Sequence, residues 1–229
     1  MTAAQAMRLS IVMPVLDEAA QIDATLTSLA PLRALGAELI VVDGGSRDET
    51  PARCRGQADI VLQAQRGRAA QMNAGAARAR GEVLLFLHVD TRLPAEACAA
   101  IERAIDAGAL WGRFDVTICG RSMMFPLIAK LMNLRSRLTG IATGDQAIFV
   151  RRELFERIGG YAEMPLMEDI ELSRRLRARS APACLRARVS TSGRRWERHG
   201  VWRTIALMWR LRWRYWRGEP AEALARAYR

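Results

Sequence analysis

The chain predicts an α/β fold built on a mostly parallel central sheet flanked by helices. Three observations carry that expectation. Short apolar, β-branched runs alternate with helical stretches, several of those runs end in acidic or imidazole side chains, and no linker or repeat divides the chain. In such sheets ligands collect at the carboxyl ends of strands, so the polar ends are the first functional signal.

The elements follow in order. "LSIVMPVL" (9–16) reads as a strand that Pro14 ends, with Asp17–Glu18 opening the next helix. "AQIDATLTSLAPL" (20–32) has apolar residues at helical spacing and is expected to stop at Pro31. "AELIVVDGGSRDET" (37–50) is a strand running into a Gly/Ser/Asp turn, and "DIVLQAQ" (59–65) is another short strand. "GRAAQMNAGAARARG" (67–81) is Ala-rich and helical, and "VLLFLHVDT" (83–91) is an apolar strand ending in His88 and Asp90. From about Phe114 the pattern loosens. "SMMFPLIAKLMNLRSRL" (122–138) reads as an amphipathic helix, "TGDQAIFVRRELFERIGGY" (143–161) as loop, strand and short helix, and "PLMEDIELSRRLRARS" (165–180) as a helix that opens with acids. The last thirty or so residues read as helical.

Composition bounds the partners. The 229 residues are 50% hydrophobic, which suits one domain with a sizeable core. Net charge is +11, almost all from arginine since Lys130 is the only lysine, and this favours anionic partners. Cys54, Cys98, Cys119 and Cys184 show no C-x-x-C spacing, so reduced thiols in a cytoplasmic protein are expected rather than a zinc knuckle or disulfide framework. "MTAAQAMRLSIVMPVLDE" lacks the features of a secretory leader. No window approaches the roughly 20 apolar residues of a membrane span.

Each motif has a chemical and a bland reading. Asp43 can accept hydrogen bonds from a base or ribose, or Asp43, Ser46 and Asp48 can merely cap the following helix; the ligand reading is preferred for Asp43 and the cap for Asp48. Asp17–Glu18 can complement a helix N-terminus, but their place at a strand end favours nucleotide contact. His88 and Asp90 share a face if the strand continues. Asp90 then suits Mg²⁺ or Mn²⁺ completed by substrate phosphates, and imidazole tolerates Mn²⁺ better. Arg68 stands before a helix as either a ligand contact or a solvated arginine. Glu168–Asp169 can complement a helix dipole or supply a general base. Arg194 and Arg195 can neutralise a diphosphate, with Trp196 shaping an acceptor pocket. His199 reads as surface or structural. Trp202, Trp209, Trp213 and Trp216 recur at helical spacing, each followed by arginine, so the two rows lie about 100° apart. That pattern suits a membrane-surface helix or a helix packing its Trp edge on the domain; the packed reading is preferred.

Together "IVMPVLDE", "LIVVDGGSRDET", "GRAAQMNAGAARARGEVLLFLHVDT", "GDQAIFVRRELFERIGGY", "MEDIELSRRL" and "SGRRW" resemble the family 2 glycosyltransferases with the GT-A fold, over nearly the whole chain. Several of them also resemble a bacterial subgroup of arsenosugar-biosynthesis or radical-SAM/selenodomain-associated transferases. The resemblance implies one domain over 1–229, with a nucleotide-binding half near 8–112, an acceptor and catalytic half near 113–198 and C-terminal helices near 199–229. It implies an inverting transferase that takes a nucleotide-diphospho-sugar, a UDP-sugar first, and a hydroxyl acceptor, with Mg²⁺ or Mn²⁺. Pro14, Leu16 and Glu18 would line the nucleotide pocket, Asp43 would meet the base and Arg68 would lie beside it. His88–Val89–Asp90 takes the place of the family's D-x-D, with Asp90 on the metal. Gly144, Asp145 and Gln146 would face the donor sugar or acceptor. Asp169 would be the base supported by Glu168, and Arg194, Arg195 and Trp196 would lie near the diphosphate.

Two rivals remain. A sugar nucleotidyltransferase would carry a basic Gly-rich loop after the first strand, where this chain is acidic. A non-catalytic membrane or nucleic-acid-binding module would leave the acidic strand ends unexplained; no nucleic acid is expected. The location expected is cytoplasmic, with a peripheral membrane contact open through the Trp/Arg helix.

Overall fold

The computed structural model describes residues 8–228. The first seven residues, on which the leader reading partly rests, lie outside the described residues. The elements are β1 (Leu9–Val15), α1 (Ile22–Ala34), β2 (Glu38–Asp43), α2 (Thr50–Cys54), β3 (Ile60–Gln63), α3 (Arg68–Ala76), β4 (Val83–Phe86) and β5 (Thr91–Arg92). There follow α4 (Ala97–Asp106), β6 (Trp111–Cys119), α5 (Phe125–Thr139), a 3₁₀ turn (Gly144–Gln146), β7 (Ile148–Arg151) and α6 (Arg152–Arg157). The chain closes with α7 (Glu168–Arg177), β8 (Ala183–Ser192), α8 (Arg194–His199), α9 (Val201–Trp216) and α10 (Ala221–Tyr228).

The strands form one sheet in the order β3-β2-β1-β4-β7-β6-β8-β5. β1 to β4 are parallel; β7 runs antiparallel between β4 and β6, and β6 pairs with β8 in parallel. Side chains alternate between two cores. Ile11 and Met13 of β1 join Leu26 and Leu29 of α1 and Ile101 of α4 on one face. Val12 joins Met72 of α3, Phe155 of α6 and Leu172 of α7 on the other. Burial on both faces explains why β1, β2 and β4 read as unbroken apolar runs.

Two prolines behave differently from expectation. Pro14 lies inside β1, opposite Val42, and does not end the strand. The ladder to β4 finishes at Val12↔Phe86, so the donor that Pro14 lacks falls where no partner strand continues. Pro31 lies inside α1, which runs on to Ala34 because Leu29 and Leu32 are held in the core.

No motif announces α4, β6 or β8. β6 is almost wholly buried yet carries Arg113 and Asp115, which pair in the interior. Arg113 also donates to Ser136 Oγ at 3.0 Å and to the Asn133 carbonyl at 3.2 Å, and Arg137 reaches Asp115 at 2.6 Å. A buried charge survives only when paired and hydrogen-bonded in this way. All four cysteines are free thiols. No helix among the described residues is long and apolar enough to cross a membrane.

Candidate active site

The carboxyl ends of β1 and β2 are laced together by backbone-to-side-chain bonds. The Asp17 N–H donates to Ser46 Oγ (2.9 Å), Arg47 N–H to Asp17 Oδ1 (2.7 Å), Glu18 N–H to Thr50 Oγ1 (2.8 Å) and Ala19 N–H to Asp48 Oδ2 (3.0 Å). Asp48 also accepts from Thr50 N–H at 2.9 Å at the start of α2, in keeping with its reading as a cap. Asp43 does the same: its buried carboxylate accepts from Gly45 N–H at 2.9 Å, Ser46 N–H at 3.0 Å and the Ser46 hydroxyl. Its oxygens brace the loop at the carboxyl end of β2, the place expected to meet a ligand. Glu18 likewise accepts from Gln21. Pro14 is buried and Leu16 half-buried at the mouth of this loop pair.

The strand expected to carry His88 and Asp90 together ends at Phe86. A turn closed by Thr91 N–H to the His88 carbonyl (3.0 Å) then sends the two side chains to different places. Asp90 lines a cavity of about 290 Å³ with Gln21, Thr25, Arg92 and Thr191, which neither Asp43 nor Asp169 borders. Its carboxylate has no protein partner among the described residues. His88 instead places Nδ1 3.3 Å from Asp145 Oδ1, and its other edge lies against Gly144. A Cβ added to Gly144 would sit 2.3 Å from His88 Cε1 and 2.4 Å from Nε2, so only glycine admits the ring.

Gly144 also joins this group to α7. Its N–H donates to Asp169 Oδ2 at 2.9 Å, while Asp169 Oδ1 accepts from the Ile170 N–H at 2.7 Å. Beside Asp169, Glu168 is only 6% exposed. Burial pushes both carboxyls above the usual range; Asp169's charge adds to the rise at Glu168, and the Gly144 N–H moderates it at Asp169. Arg68 opens α3 against the same acids. Crowding around its guanidinium opposes the charge although the residue as a whole stays exposed, yet Glu168, Tyr228, Asp145 and Asp169 raise its pKa above the ordinary arginine value. At Asp145 burial raises the pKa, and His88, Arg68 and Arg195 outweigh it to leave a lowered value. Asp145 lies deep in the cleft, yet its side chain is 46% exposed, so solvent or substrate reaches it.

The structure therefore gathers Arg68, His88, Asp145, Glu168, Asp169 and Arg195. Gln146 is wholly buried instead, accepting from Thr143 N–H at 3.2 Å and reaching Asn133 at 3.5 Å, so it supports the loop from behind. Trp196 packs, partly buried, against the cluster of Ile118 and Phe125, and the Arg194 and His199 side chains are exposed. Among the described residues, the non-glycine positions with left-handed backbone are Asp17, Ala147 and Met167, and each adjoins a residue of the predicted site. Such strain is held where the surroundings over-determine it, commonly at functional loops.

Two further residues enter from elements that the motifs do not cover. Tyr228 on α10 folds back so that the Arg195 guanidinium lies 3.7 Å from its ring centre, with Nη2 donating to the Tyr228 carbonyl at 3.3 Å. Arg135 on α5 holds Nε and Nη2 buried with no hydrogen-bond partner among the described residues. Burial lowers its pKa and Arg113 lowers it further, against the attraction of Asp169. No spacing rule points to either residue; a basic position inside the amphipathic 122–138 stretch is the one hint available.

The family model for glycosyl transferase family 2 matches residues 10–159, well over half of the chain and including the β1, β2, α3 and β4 motifs. The chain belongs to glycosyl transferase family 2. Similar solved structures place this family 2 chain in the GT-A fold. The mannosyltransferase PcManGT from Pyrobaculum calidifontis, in complex with GDP-Man and Mn²⁺, aligns with a TM-score of 0.64 at 20% identity over 82% of this chain and 57% of its own. S. aureus TarS 1-349 in complex with UDP-GlcNAc gives 0.65 at 19% identity, over 81% and 58%. The glucosyl-3-phosphoglycerate synthase from Mycobacterium tuberculosis, with Mn²⁺, UDP and glucosyl-3-phosphoglycerate, gives 0.56 at 22%, over 80% and 70%. The chain thus spans under three-fifths of the first two proteins' length. No curated protein matches it.

Proposed function

We propose that this family 2 chain is an inverting glycosyltransferase that moves a sugar from a nucleotide-diphospho-sugar, a UDP-sugar first, to an acceptor hydroxyl. The observation that carries the reading is the Gly144 bridge: one backbone N–H binds Asp169 while the same residue seats His88 beside Asp145. A carboxylate with a raised pKa is thereby fixed next to a cluster of arginines, which suits a base facing a departing anion. Asp169 takes the proton of the acceptor hydroxyl, whose oxygen attacks the anomeric carbon from the face opposite the leaving group. The bond from that carbon to the diphosphate oxygen breaks, and Arg68 and Arg195 meet the charge that departs with it. Glu168 keeps the local field negative and Asp145 orients His88.

Among the described residues no three His, Cys, Asp or Glu side chains gather as a ligand set. The donor chemistry still fits a shared cation, because Mg²⁺ and Mn²⁺ bind through one or two carboxylates completed by phosphates, and Asp90 offers an unpartnered carboxylate. Asp90 would hold that cation, which when bound neutralises diphosphate charge. The Mn²⁺ complexes of the Pyrobaculum and mycobacterial proteins support this reading, as do their nucleotide ligands. Membership of the arsenosugar and selenodomain-associated subgroup, a cytoplasmic location and a peripheral membrane contact through α9 belong to the same proposal. The test is a panel of UDP- and GDP-sugars, each read for thermal stabilisation with and without Mn²⁺, followed by the anomeric configuration of the product by NMR. Metal-dependent stabilisation by a UDP-sugar and an inverted product are expected. Retention of configuration, or no stabilisation by any nucleotide sugar, would contradict it.

A further inference from the structure

The direction of the α9 tryptophans is opposite to the packed reading. Trp202, Trp209, Trp213 and Trp216 are 71%, 75%, 56% and 82% exposed. The helix is instead seated through Thr204 and Leu211, with Leu207, Met208 and Tyr215 packed in a cluster around Met167 and Leu224. Arg203 and Arg210 beside the Trp row have no protein partner among the described residues, Arg214 pairs with Glu219, and Arg217 lies 4.9 Å from the Trp213 ring centre.

A second outward row stands on α5. Leu127, Leu131, Leu134 and Leu138 are 48%, 55%, 48% and 77% exposed, at spacings of four, three and four residues. The opposite side of that helix carries the buried Phe125, Ile128, Ala129 and Ser136. The two helices are neighbours, since Val201 and Ile205 of α9 pack on the cluster of Phe125 and Ile128. Rows of this size are rare on a soluble surface that faces only water.

We infer that the outward rows of α5 and α9 form one docking face for an anionic lipid bilayer. Tryptophan and leucine fill the boundary between headgroups and acyl chains, and the adjacent arginines meet lipid phosphates. Charge decides against a second copy of the chain as occupant. A two-fold contact would bring the unpaired Arg203 and Arg210 toward their own copies on a chain of net charge +11. The inner side of α9 packs on Met167 and Ile170, which flank the acidic pair, so the docked face also fixes how the cleft is presented to the membrane. Docking of this kind does not depend on the transferase chemistry.

The experiment is co-sedimentation of the full chain with vesicles of phosphatidylcholine plus phosphatidylglycerol, and of phosphatidylcholine alone. Partition into the anionic vesicles is expected, weakened by salt. W209A/W213A and L131S/L138S should each lower it by about tenfold, judged from the apolar area withdrawn. Both variants change exposed side chains, so circular dichroism and nucleotide-sugar stabilisation should match the parent; this separates failure of docking from failure of the transferase reading. Equal partition of L131S/L138S and parent would overturn the two-helix face. Absence of partition, or a dimer that W209A/W213A dissociates in place of vesicle binding, would overturn the lipid assignment.

Discussion

Gly144 donates its backbone N–H to Asp169 Oδ2 at 2.9 Å while its missing side chain leaves room for the His88 ring. One residue thereby sets the distance between the turn after β4 and the start of α7, two segments far apart in the chain. Gly144→Ala would push a methyl group into the ring. The expected outcome is a stability loss of about 1–3 kcal/mol from overpacking and a fall in transfer larger than that loss explains. Urea denaturation and initial rates on the same preparation check this; unchanged values for both would mean that the ring is not confined.

The raised pKa of Asp169 has a sign that can be measured. The folded state holds the proton more tightly than the unfolded one, so at low pH, with the carboxyl protonated, its contribution is fully favourable. That contribution is lost as pH rises from the ordinary aspartate range through the raised value. Asp169→Asn has no such group, so the stability of the parent relative to the variant should decline across that window. Transfer by the parent should climb over the same range as the base ionises, with an apparent pKa that belongs to the Glu168–Asp169 pair. A stability difference that is flat with pH would refute the shift.

Arg135 is expected to show function opposed to stability. Its guanidinium holds two buried nitrogens, Nε and Nη2, without partners among the described residues, a cost on the order of 1–3 kcal/mol for an unsatisfied group. Arg135→Met should keep or raise the melting temperature while lowering transfer, because the positive charge beside Asp169 is gone. Calorimetric melting and steady-state kinetics test the two halves. A large destabilisation would show that the guanidinium is structurally needed.

Tyr228 positions Arg195 by stacking and through its carbonyl. Tyr228→Ala removes the ring and keeps the backbone acceptor, so a loss of about 0.5–2 kcal/mol of cation–π attraction is expected. The readout is a weaker affinity for UDP by titration calorimetry, with the circular dichroism spectrum retained. Unaltered affinity would release Tyr228 from the site.

The parts legible in the sequence are those whose environment is uniform. β1, β2 and β4 have apolar neighbours on both faces, so their residues alone mark them as strands. β6 escapes because the Arg113–Asp115 pair breaks its apolar run, and β8 because Arg186 and Arg188 interrupt it. Within the site, Asp145, Glu168 and Asp169 come together from the quoted 144–146 and 168–169 motifs, whereas Arg68, expected beside Asp43, faces these acids instead. Asp43 and Glu18 stand at the expected strand ends, but their oxygens are committed to local bonds that no spacing reveals. His88 and Asp90 separate because a tight turn replaces the assumed strand. The tryptophan row is visible in the sequence but its direction is not, because periodicity gives a stripe without saying which stripe faces the core.

The most direct measurement pairs turnover with donor binding in Asp169→Asn. Asparagine keeps an oxygen for the Gly144 N–H and gives up only the acceptor of the neighbouring Ile170 N–H, so the cleft should hold its shape. If Asp169 is the base, nucleotide-sugar affinity stays within about twofold of the parent and transfer falls by at least about a hundredfold, the scale of lost general-base catalysis. Turnover equal to the parent at matched donor occupancy would contradict that role.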